Sequence, residues 1–376
     1  MTATSSPRAR LRAAPYAPDA PPRVLVVSGS VGAGHDGAAN ELAARLRAAG
    51  AQVDVRDFLD ALPGPVPGLL RDGYALTVDK VPGVFSWLFR RLEDRGPVQA
   101  LMLATCRLGA PTVHGWLAEG RYDVAVSTYP LASQCLGGLR DRGLAPVPLV
   151  TYLTDPAVHR SWVHPSVDLH LTVTAAAARQ GTTSYGLSMV EAGPLVPARF
   201  SRRTPVAALR RELGLPPGRP VALLVAGSLG LGDVVTSAEH VAAAGLVPLV
   251  LCGRNAGLLA RVRDVPGVVA LGWRDDVHVL MQLADVLVHN AGGLSLTEAL
   301  VAGLPAVTYR CIPGHGQANA AVLHDAGLAP WARDEQELAA ALRDRLATTR
   351  TPPSVLDPAD AVLALLPDAP ALRNSA

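Results

Sequence analysis

Residues 285–300 read DVLVHNAGGLSLTEAL, and a Gly-Leu-Pro triplet follows at residues 303–305. The apolar run that ends at His289 predicts a buried strand, and residues 290–293 predict a turn. We expect a helix to start near Leu294 and to stop at the glycine of the triplet, because glycine commonly follows a helix and proline cannot continue one. The stretch therefore predicts a strand, a glycine turn and a helix.

A similar pattern opens the chain at residues 24–49. A short β-branched run at residues 24–27 is followed by SGSVGAGHD and by a segment rich in Ala, Leu and Arg over residues 37–49, which predicts a helix. Further strands are predicted at residues 52–59, 123–127, 148–153, 169–173, 189–192, 248–251, 268–271 and 306–309, and a second strand with its glycine loop is predicted over residues 221–230. Their continuous apolar character is typical of parallel sheets that are covered on both faces, so an α/β fold is expected.

Composition changes divide the chain. The segment 197–220 is rich in arginine and proline and is the best boundary between two α/β halves. The predicted division is a disordered tail at 1–22, a first domain at 23–198, a linker at 199–219, a second domain at 220–347 and a C-terminal tail at 348–376 with a short helix near 358–366.

Charge and composition exclude several classes of protein. Hydrophobic residues make up 49% of the 376 residues and charged residues only 18%, which excludes an intrinsically disordered chain. The net charge of +2 gives no field that would recruit nucleic acid. The four cysteines form no CxxC pair, so a structural metal is not expected. Neither a signal peptide nor a membrane span is predicted, and we expect a cytoplasmic protein.

Two glycine loops are candidate phosphate sites. Backbone amides and a helix N-terminus meet at residues 32–35, Gly-Ala-Gly-His, and again at residues 227–230, Gly-Ser-Leu-Gly. Neither loop has the spacing of the dinucleotide fingerprint or of the P-loop, which disfavours hydride transfer. Glu298, near the start of the predicted helix, has two interpretations. It could simply favour the helix dipole, or it could accept hydrogen bonds from both hydroxyls of a ribose.

These segments resemble a known family. The strand, the turn and the Glu298 helix look like the donor-binding signature of GT-B glycosyltransferases, in the family that contains the peptidoglycan lipid-intermediate N-acetylglucosaminyltransferase and the monogalactosyldiacylglycerol synthases. Residues 32–35, Thr154-Asp155 with the following His and Trp residues, and residues 313–319, PGHGQAN, resemble other motifs of these enzymes. Two departures leave the sugar open: Asn290 replaces a usual lysine, and His315-Gly316 replaces Gln-Glu.

The resemblance implies two Rossmann-like domains with parallel sheets facing a central cleft. It implies a UDP-sugar donor bound mainly to the second domain, a lipid or other hydrophobic acceptor bound to the first, no metal and no cofactor besides the donor substrate. The implied donor-binding residues are Gly34, Gly227, Ser228, Gly272, Trp273, Arg274, Gly292, Gly293, Leu294, Ser295, Glu298, Gln317 and Asn319. Among these, Gln317 and Asn319 would face the sugar, and residues 272–274 would line the uracil.

Inverting transfer needs a base with a pKa near neutrality, and His35 is the first candidate. The alternative is a histidine that caps its helix or binds phosphate. Asp155, at the end of a predicted strand, would orient the base or act as the base itself, or it would merely form a turn before Pro156. His289 is expected to be a structural strand-end residue, and zinc binding by the histidines near residue 160 is not favoured.

Residues 81–92, VPGVFSWLFRRL, concentrate aromatic and basic side chains. Phe85, Trp87 and Phe89, followed by Arg90 and Arg91, predict a surface that contacts a bilayer, with a buried helix as the alternative. In the family that the chain resembles, this part of the first domain meets a lipid acceptor, so the resemblance implies a peripheral enzyme on the inner face of the plasma membrane.

The sequence thus predicts an inverting transferase that moves a hexose or N-acetylhexosamine from a UDP-sugar to a lipid, diacylglycerol-like or other hydrophobic hydroxyl. A UDP-sugar 2-epimerase of the same fold and a non-catalytic nucleotide-sugar-binding subunit are the alternatives. The identity of the sugar, that of the acceptor and the oligomeric state stay open.

Overall fold

The computed structural model describes residues 20–227, 230, 232–348 and 356–366. Its strands form two six-stranded sheets in which every recorded pairing is parallel. The first sheet has the order β2-β1-β3-β4-β5-β6, with β1 (Arg23–Ser28), β2 (Gln52–Asp57), β3 (Val124–Ser127), β4 (Leu149–Tyr152), β5 (Leu169–Thr172) and β6 (Met189–Glu191). The second has the order β12-β11-β10-β7-β8-β9, with β7 (Val221–Val225), β8 (Val247–Leu251), β9 (Val269–Leu271), β10 (Val286–His289), β11 (Ala306–Tyr309) and β12 (Trp331–Ala332). The predicted α/β fold with two parallel sheets is confirmed.

Helices cover both faces of the sheets. The helices that accompany the first sheet are α1 (Ala33–Ala48), α2 (Val66–Lys80), α3 (Pro82–Glu93), α4 (Pro97–Gly120), α5 (Pro130–Asp141) and α6 (Ala175–Tyr185). The later helices are α7 (Ala207–Glu212), α8 (Val234–Ala243), α9 (Ala256–Arg263), α10 (Val277–Leu283), α11 (Gly293–Ala302), α12 (His315–Asp325), α13 (Glu335–Leu346) and α14 (Pro358–Leu363). We call the first sheet with its helices the first lobe and the second sheet with its helices the second lobe.

The strand β1 shows why the apolar runs are continuous. Val24 and Val26 pack into the layer that contains α1, whereas Leu25 and Val27 pack into the opposite layer with α4 and α5. Alternate side chains of a strand point to opposite faces, so a sheet covered on both faces needs apolar residues at every position.

The C-terminal helix α14 returns to the first lobe. Ala361 and Val362 pack with Leu42 of α1, and Arg45 Nη1 lies 3.0 Å from Asp357 Oδ2. Most of the predicted tail 1–22 lies outside the described residues, as do residues 349–355 and 367–376. The predicted domain boundaries stay predictions.

Two local predictions are wrong. The helix α1 begins at Ala33 instead of residue 37, because Gly32 is its extended N-cap residue, so Gly34 and His35 lie in a helical turn and not in a loop. The strand β2 ends at Asp57, whose carboxylate accepts the Leu59 N–H at 2.9 Å and starts a short 3-10 turn. In the described part of the chain, every helix is too short or too polar to cross a bilayer.

Candidate functional site

The carboxyl ends of strands from both lobes open into one cavity of 680 Å³. This edge of parallel sheets is where α/β proteins bind ligands. The cavity is lined after β1 by residues 31–35, after β4 by Thr154 and Asp155, at β7 by residues 225–227 and after β10 by residues 289, 290 and 292–295. The structure thus brings together His35, Asp155, Gly34, Gly227, Gly292, Gly293, Leu294 and Ser295, as the sequence predicted.

The two lobes touch across this cavity. The first turns of α1 and α11 face each other, since a Cβ placed on Gly34 would lie 3.7 Å from Leu294 Cβ. A Cβ on Gly293 would lie 2.4 Å from the Thr154 carbonyl oxygen, so only glycine fits at that contact. A substrate in the cavity therefore contacts both lobes.

The N–H groups of the first turn of α11 have no side-chain cap among the described residues. Gly292 is the N-cap of α11 and supplies no side-chain cap, so the first N–H groups of the helix are open to an anion at the positive end of the dipole. Ala291 has φ +70°, and its N–H is accepted by His289 Nδ1 at 3.2 Å. His289 Nε2 lies 3.0 Å from Thr308 Oγ1. Both ring nitrogens are engaged, which agrees with a structural role for His289, and burial lowers its pKa to about 4.

Glu298 lies on α11 one turn beyond the glycine turn. It is the sixth residue of the helix, where the dipole no longer acts strongly, so the helix-dipole interpretation loses its basis. Glu298 follows Leu294 and Ser295 by four and three residues on α11, but it is not among the residues that line the 680 Å³ cavity, which include Thr297. Burial raises the pKa of its carboxyl to about 7, opposed by the charge of Arg199.

His35 has one ring nitrogen available for chemistry. Its Nδ1 lies 2.9 Å from the Thr128 carbonyl oxygen, which can only accept, so Nδ1 carries the proton and Nε2 keeps a lone pair. The ring packs against Tyr129 and Trp162, with centroids 5.1 and 5.6 Å away. Burial lowers the pKa of His35 against the opposing charge of Asp155, so the imidazole is neutral at pH 7.

Asp155 joins side chains from both lobes. It accepts the Trp162 Nε1–H at 3.1 Å and the Asn319 amide at 3.2 Å. Asn319 also donates to the Ala291 carbonyl oxygen at 3.0 Å and accepts the Ala157 N–H at 2.9 Å, and it is almost completely buried. Asp155 is therefore more than a turn residue, because it links the base region of the first lobe to α12 of the second.

Comparison with known proteins agrees with this geometry. A family model described as monogalactosyldiacylglycerol (MGDG) synthase matches residues 35–188, and one described as glycosyl transferases group 1 matches residues 222–348. The chain is therefore similar to MGDG synthases in its first lobe and to group 1 glycosyl transferases in its second. The predicted resemblance and the GT-B fold are confirmed.

The individual relatives of this chain are distant. A processive diacylglycerol beta-glucosyltransferase of Bacillus subtilis is 26% identical over 62% of this chain and 63% of its own length. The chloroplastic monogalactosyldiacylglycerol synthase of Spinacia oleracea is 26% identical over 86% of this chain and 66% of its own. The chain thus spans less than two thirds of the length of these relatives. Acinetobacter baumannii MurG has the same fold, with a TM-score of 0.51 and 17% identity over 88% of this chain and 96% of that one.

The direction in which the side chains of α12 point differs from the family-based expectation that Gln317 and Asn319 face the sugar. His315 and Asn319 are four residues apart and share one helix face toward the first lobe, whereas Gln317 lies about 200° from His315 and is exposed. Gln317 therefore lies outside the 680 Å³ cavity. The side chain of Asn319 is hydrogen-bonded between the lobes and does not line the cavity either. His315 is the residue of this helix that lines the cavity.

The predicted uracil residues lie outside this cavity. Trp273 is 46% exposed and stacks under Arg254, whose Cζ lies 3.8 Å from the ring centroid. Arg274 pairs with Asp276, and Gly272 contacts the region of Leu259. Ser228 lies outside the described residues. The structure does not bring residues 272–274 to the residues around His35.

The packing of α3 corrects the predicted membrane segment. Phe85 and Phe89 point inward and surround the His315 ring, with centroids 5.5 and 6.2 Å away, and Tyr74 of α2 adds a third ring at 6.4 Å. Trp87, on the other face, is 46% exposed. Because residues 85 and 89 share one helix face, they cannot contact a bilayer together with Trp87.

An apolar surface nevertheless surrounds the mouth of the cavity. Of the ten exposed large hydrophobic side chains among the described residues, seven lie on α2, α3, α4 and the connection at residue 81: Leu69, Leu76, Val81, Val84, Trp87, Leu101 and Leu108. Leu69 and Leu101 also line the cavity, so this surface continues into it. Sequence reasoning missed this surface and the ring cluster around His315, although the aromatic enrichment of residues 81–92 signalled one of its three helices.

Proposed function

We propose that this chain is an inverting glycosyltransferase that transfers a hexose or N-acetylhexosamine from a UDP-sugar to the hydroxyl of a lipid, diacylglycerol-like acceptor. The observation that carries the proposal is that a neutral imidazole with a free Nε2, His35, and the open amides of the turn before α11 share one cavity between the lobes. The names of the relatives support the lipid acceptor, because they describe enzymes of diacylglycerol glycosylation.

The donor binds to the second lobe in this proposal. The amides of Gly292, Gly293 and Leu294 hold the diphosphate, with Gly227 and Ser295 beside them. The Glu298 carboxylate accepts hydrogen bonds from the two ribose hydroxyls. The roles of Ser228 and of residues 272–274 at the nucleotide stay predictions.

The transfer step uses groups of both lobes. The acceptor oxygen attacks the anomeric carbon on the face opposite the diphosphate, and His35 Nε2 takes the hydroxyl proton. The Asp155 carboxylate stabilises the resulting imidazolium, since its charge already favours the protonated form of His35. Amides and the α11 dipole stabilise the departing UDP, so we expect activity without an added metal ion.

The acceptor enters from the apolar side. Leu88, Leu92 and Met102 line the first-lobe wall of the cavity and suit an acyl chain. The exposed apolar surface of α2, α3 and α4 would rest on the bilayer, with Arg90 and Arg91 near lipid phosphates. The proposed enzyme is thus a peripheral membrane protein.

The test is an assay of purified protein with UDP-glucose, UDP-galactose or UDP-N-acetylglucosamine and vesicles that contain diacylglycerol, read by UDP release and glycolipid mass. We expect His35→Ala to lower kcat by about 10²- to 10⁴-fold, with UDP affinity nearly unchanged. His324→Ala, at an exposed position of α12, is the matched control. Formation of a new UDP-sugar without acceptor would indicate the epimerase, and UDP binding without turnover a binding subunit.

A further inference from the structure

Two tyrosine side chains line the 680 Å³ cavity near the candidate base. Tyr74 lies on α2 and Tyr129 immediately precedes α5, and neither hydroxyl has a hydrogen-bond partner among the described residues. A phenol that is withdrawn from solvent normally finds such a partner, and the transfer step proposed above uses neither hydroxyl. Both hydroxyls are therefore available to a ligand in the cavity.

Tyr129 is held beside His35. Its ring centroid lies 5.1 Å from that of His35 and 6.2 Å from that of Phe58. A Cβ added to Gly29 would lie 2.4 Å from Tyr129 Cδ1, so only glycine leaves room for the phenol against the segment after β1. Packing from these sides fixes the position of the phenol next to the base.

Tyr74 approaches the same region from α2. Its ring centroid lies 5.6 Å from that of Phe85 and 6.4 Å from that of His315. Burial, and after it the charge of Asp155, raise the pKa of Tyr74 to about 12. Burial is also the main cause that raises the pKa of Tyr129, and the proximity of Tyr74 adds to it. The two hydroxyls thus face a common region of the cavity.

These hydroxyls suit an uncharged hydrogen-bond acceptor. Because the pKa of each is raised, both phenols keep their protons at pH 7 and can donate. The charge of a carboxylate acts on each phenol, Asp155 on one and Asp57 on the other, and would repel a phosphate or a carboxylate ligand. A carbonyl oxygen would meet two donors without this repulsion.

The wall around the two phenols is otherwise apolar. Thr77 and Thr105 also line it, but their hydroxyls donate within their own helices, to the carbonyl oxygen of Gly73 at 2.7 Å and to that of Leu101 at 3.1 Å. The other described side chains of α2, α3 and α4 that line the cavity are apolar. Two donors in an apolar wall match an acyl ester, in which one carbonyl joins a hydrocarbon chain to the glycerol.

We propose that Tyr74 and Tyr129 bind the ester carbonyl of the lipid acceptor, so that the enzyme selects ester-linked over ether-linked glycerolipids. The inference rests on the proposed function. In a diacylglycerol with a terminal hydroxyl, the carbon next to the hydroxyl-bearing carbon carries an ester. A carbonyl held beside His35 therefore brings the hydroxyl near His35 Nε2, and the two tyrosines position it for attack.

The experiment compares a diacylglycerol with the dialkylglycerol of equal chain length, an ether without carbonyls, in vesicles and with the UDP-sugar that supports turnover. We expect the kcat/KM of the wild type to be about 10-fold or more higher for the ester, because the ether leaves both phenols without their carbonyl acceptor. Tyr74→Phe and Tyr129→Phe should each lower this preference. The double variant should abolish it by losing activity on the ester while keeping that on the ether.

Tyr122→Phe is the matched control. The Tyr122 hydroxyl donates to Asp54 Oδ2 at 2.7 Å and lies outside the cavity, and the pKa of this tyrosine is also raised to about 12, chiefly by burial. The control removes the same atom from a phenol of similar acidity, so it should keep the wild-type preference for the ester.

Other outcomes overturn the assignment in distinguishable ways. Wild-type activity on the ether that equals or exceeds that on the ester would reject it and leave the proposed function standing. An equal loss on both acceptors in the double variant would give the tyrosines a structural role only. A raised KM for the UDP-sugar in that variant would assign them to the donor.

If neither acceptor reacts, the proposed function fails, and saturation-transfer NMR with dihexanoylglycerol and dihexylglycerol as probes decides the subsite. Preferential binding of the ester that is lost in the double variant and kept in Tyr122→Phe supports the assignment. Equal binding of the two probes, or binding of neither, rejects it.

Discussion

The fold raises the pKa of the Glu298 carboxyl into the physiological range. Its carboxyl has a pKa of about 7 because it is buried without a hydrogen bond from the described residues. A carboxyl with a raised pKa contributes to stability when protonated, and this contribution is lost as the pH rises through 7. In the proposed ribose site a diol would restore hydrogen bonds to the ionised form, so we expect ligand binding at Glu298 to depend on pH.

We expect uridine affinity to increase between pH 6 and pH 8, because only the ionised Glu298 offers both oxygens as acceptors to the ribose. Uridine is used because it has no phosphate that titrates in this range. Isothermal titration calorimetry at several pH values measures the effect. Glu298→Gln should bind uridine weakly at every pH, and an unchanged pH slope in this variant would remove Glu298 from the ribose site.

His289 accepts the Ala291 N–H and so holds the turn before α11, which we propose binds the diphosphate. We expect His289→Leu to cost about 1–3 kcal/mol of stability, because a buried donor loses its acceptor, and to weaken UDP binding. His170 is the control, since burial also lowers its pKa to about 4 and it accepts the His164 N–H in the first lobe. His170→Leu should destabilise the protein without changing UDP affinity, and equal UDP affinities in both variants would contradict the assignment.

Both histidines also make stability depend on pH. Each stays neutral in the folded chain, with a pKa near 4, below its ordinary value of 6.5. Their contribution is complete above pH 6.5 and is lost as the pH falls toward 4. Urea denaturation at pH 7 and pH 4.5 measures this loss, which should be smaller in each Leu variant than in the wild type.

The motif residues show what the sequence could predict at this scale. His35 and Asp155 follow strands, and their place at the carboxyl edge of a sheet follows from topology alone. Gln317 could not be placed, because its orientation depends on the residue at which α12 begins, and an error of two positions turns a side chain to the opposite face.

At the scale of elements, α3 packs so closely against the segment before α12 that a side chain at Gly314 would not fit. Gly314 has φ +76°, and a Cβ there would lie 3.2 Å from Phe85 Cε1 and 3.2 Å from Phe89 Cβ. Ile312 adds a contact with Tyr74 and Phe85. The segment that carries His315 is therefore fixed by helices of the other lobe.

We expect Gly314→Ala to destabilise this contact, because alanine disfavours the left-handed backbone and its methyl group is too close to both phenylalanine side chains. Gly138→Ala is the control: this glycine lies in α5, and a Cβ added to it would have nothing within 4 Å. The control should gain about 0.5–1 kcal/mol from helix propensity. Thermal unfolding measures both, and a Gly314→Ala variant as stable as the wild type would contradict the packing argument.

A substitution of Trp87 tests whether the exposed face of α3 binds a bilayer. We expect Trp87→Ser to reduce sedimentation with anionic vesicles, since an exposed indole beside arginines is typical of an interfacial helix. Trp273 in the second lobe has the same exposed fraction of 46%, so Trp273→Ser is a matched control that should leave sedimentation unchanged. An equal loss in both variants would mean that vesicle binding does not use α3 in particular.

At the scale of the whole molecule, Asn319 connects the lobes by hydrogen bonds to both. We expect Asn319→Leu to favour open conformations, because Asp155 and the Ala157 N–H lose their partner at a cost of about 1–3 kcal/mol. Gln317→Leu, exposed on the same helix, is the control. Small-angle X-ray scattering should show a larger radius of gyration for Asn319→Leu alone, and identical curves would contradict the role of Asn319.

The architecture was predictable because most of its strands are clear apolar runs between glycine, proline and aspartate. The contacts between the lobes were not, since no local pattern encodes the approach of Thr154 to Gly293 or of Asp155 to Asn319. The same limit applies to the apolar surface of α2, α3 and α4, which only the packing of three helices assembles.

The return of α14 to the first lobe means that the polypeptide passes between the lobes twice, once before β7 and once after α13. A single proteolytic cut between residues 201 and 206 would therefore leave two fragments that stay associated through the docked C-terminal helix. The first lobe expressed alone, ending at residue 198, would expose Leu42 and Leu46, which that helix covers. Autonomous expression of this half thus requires residues 356–366 to be fused back or supplied as a peptide.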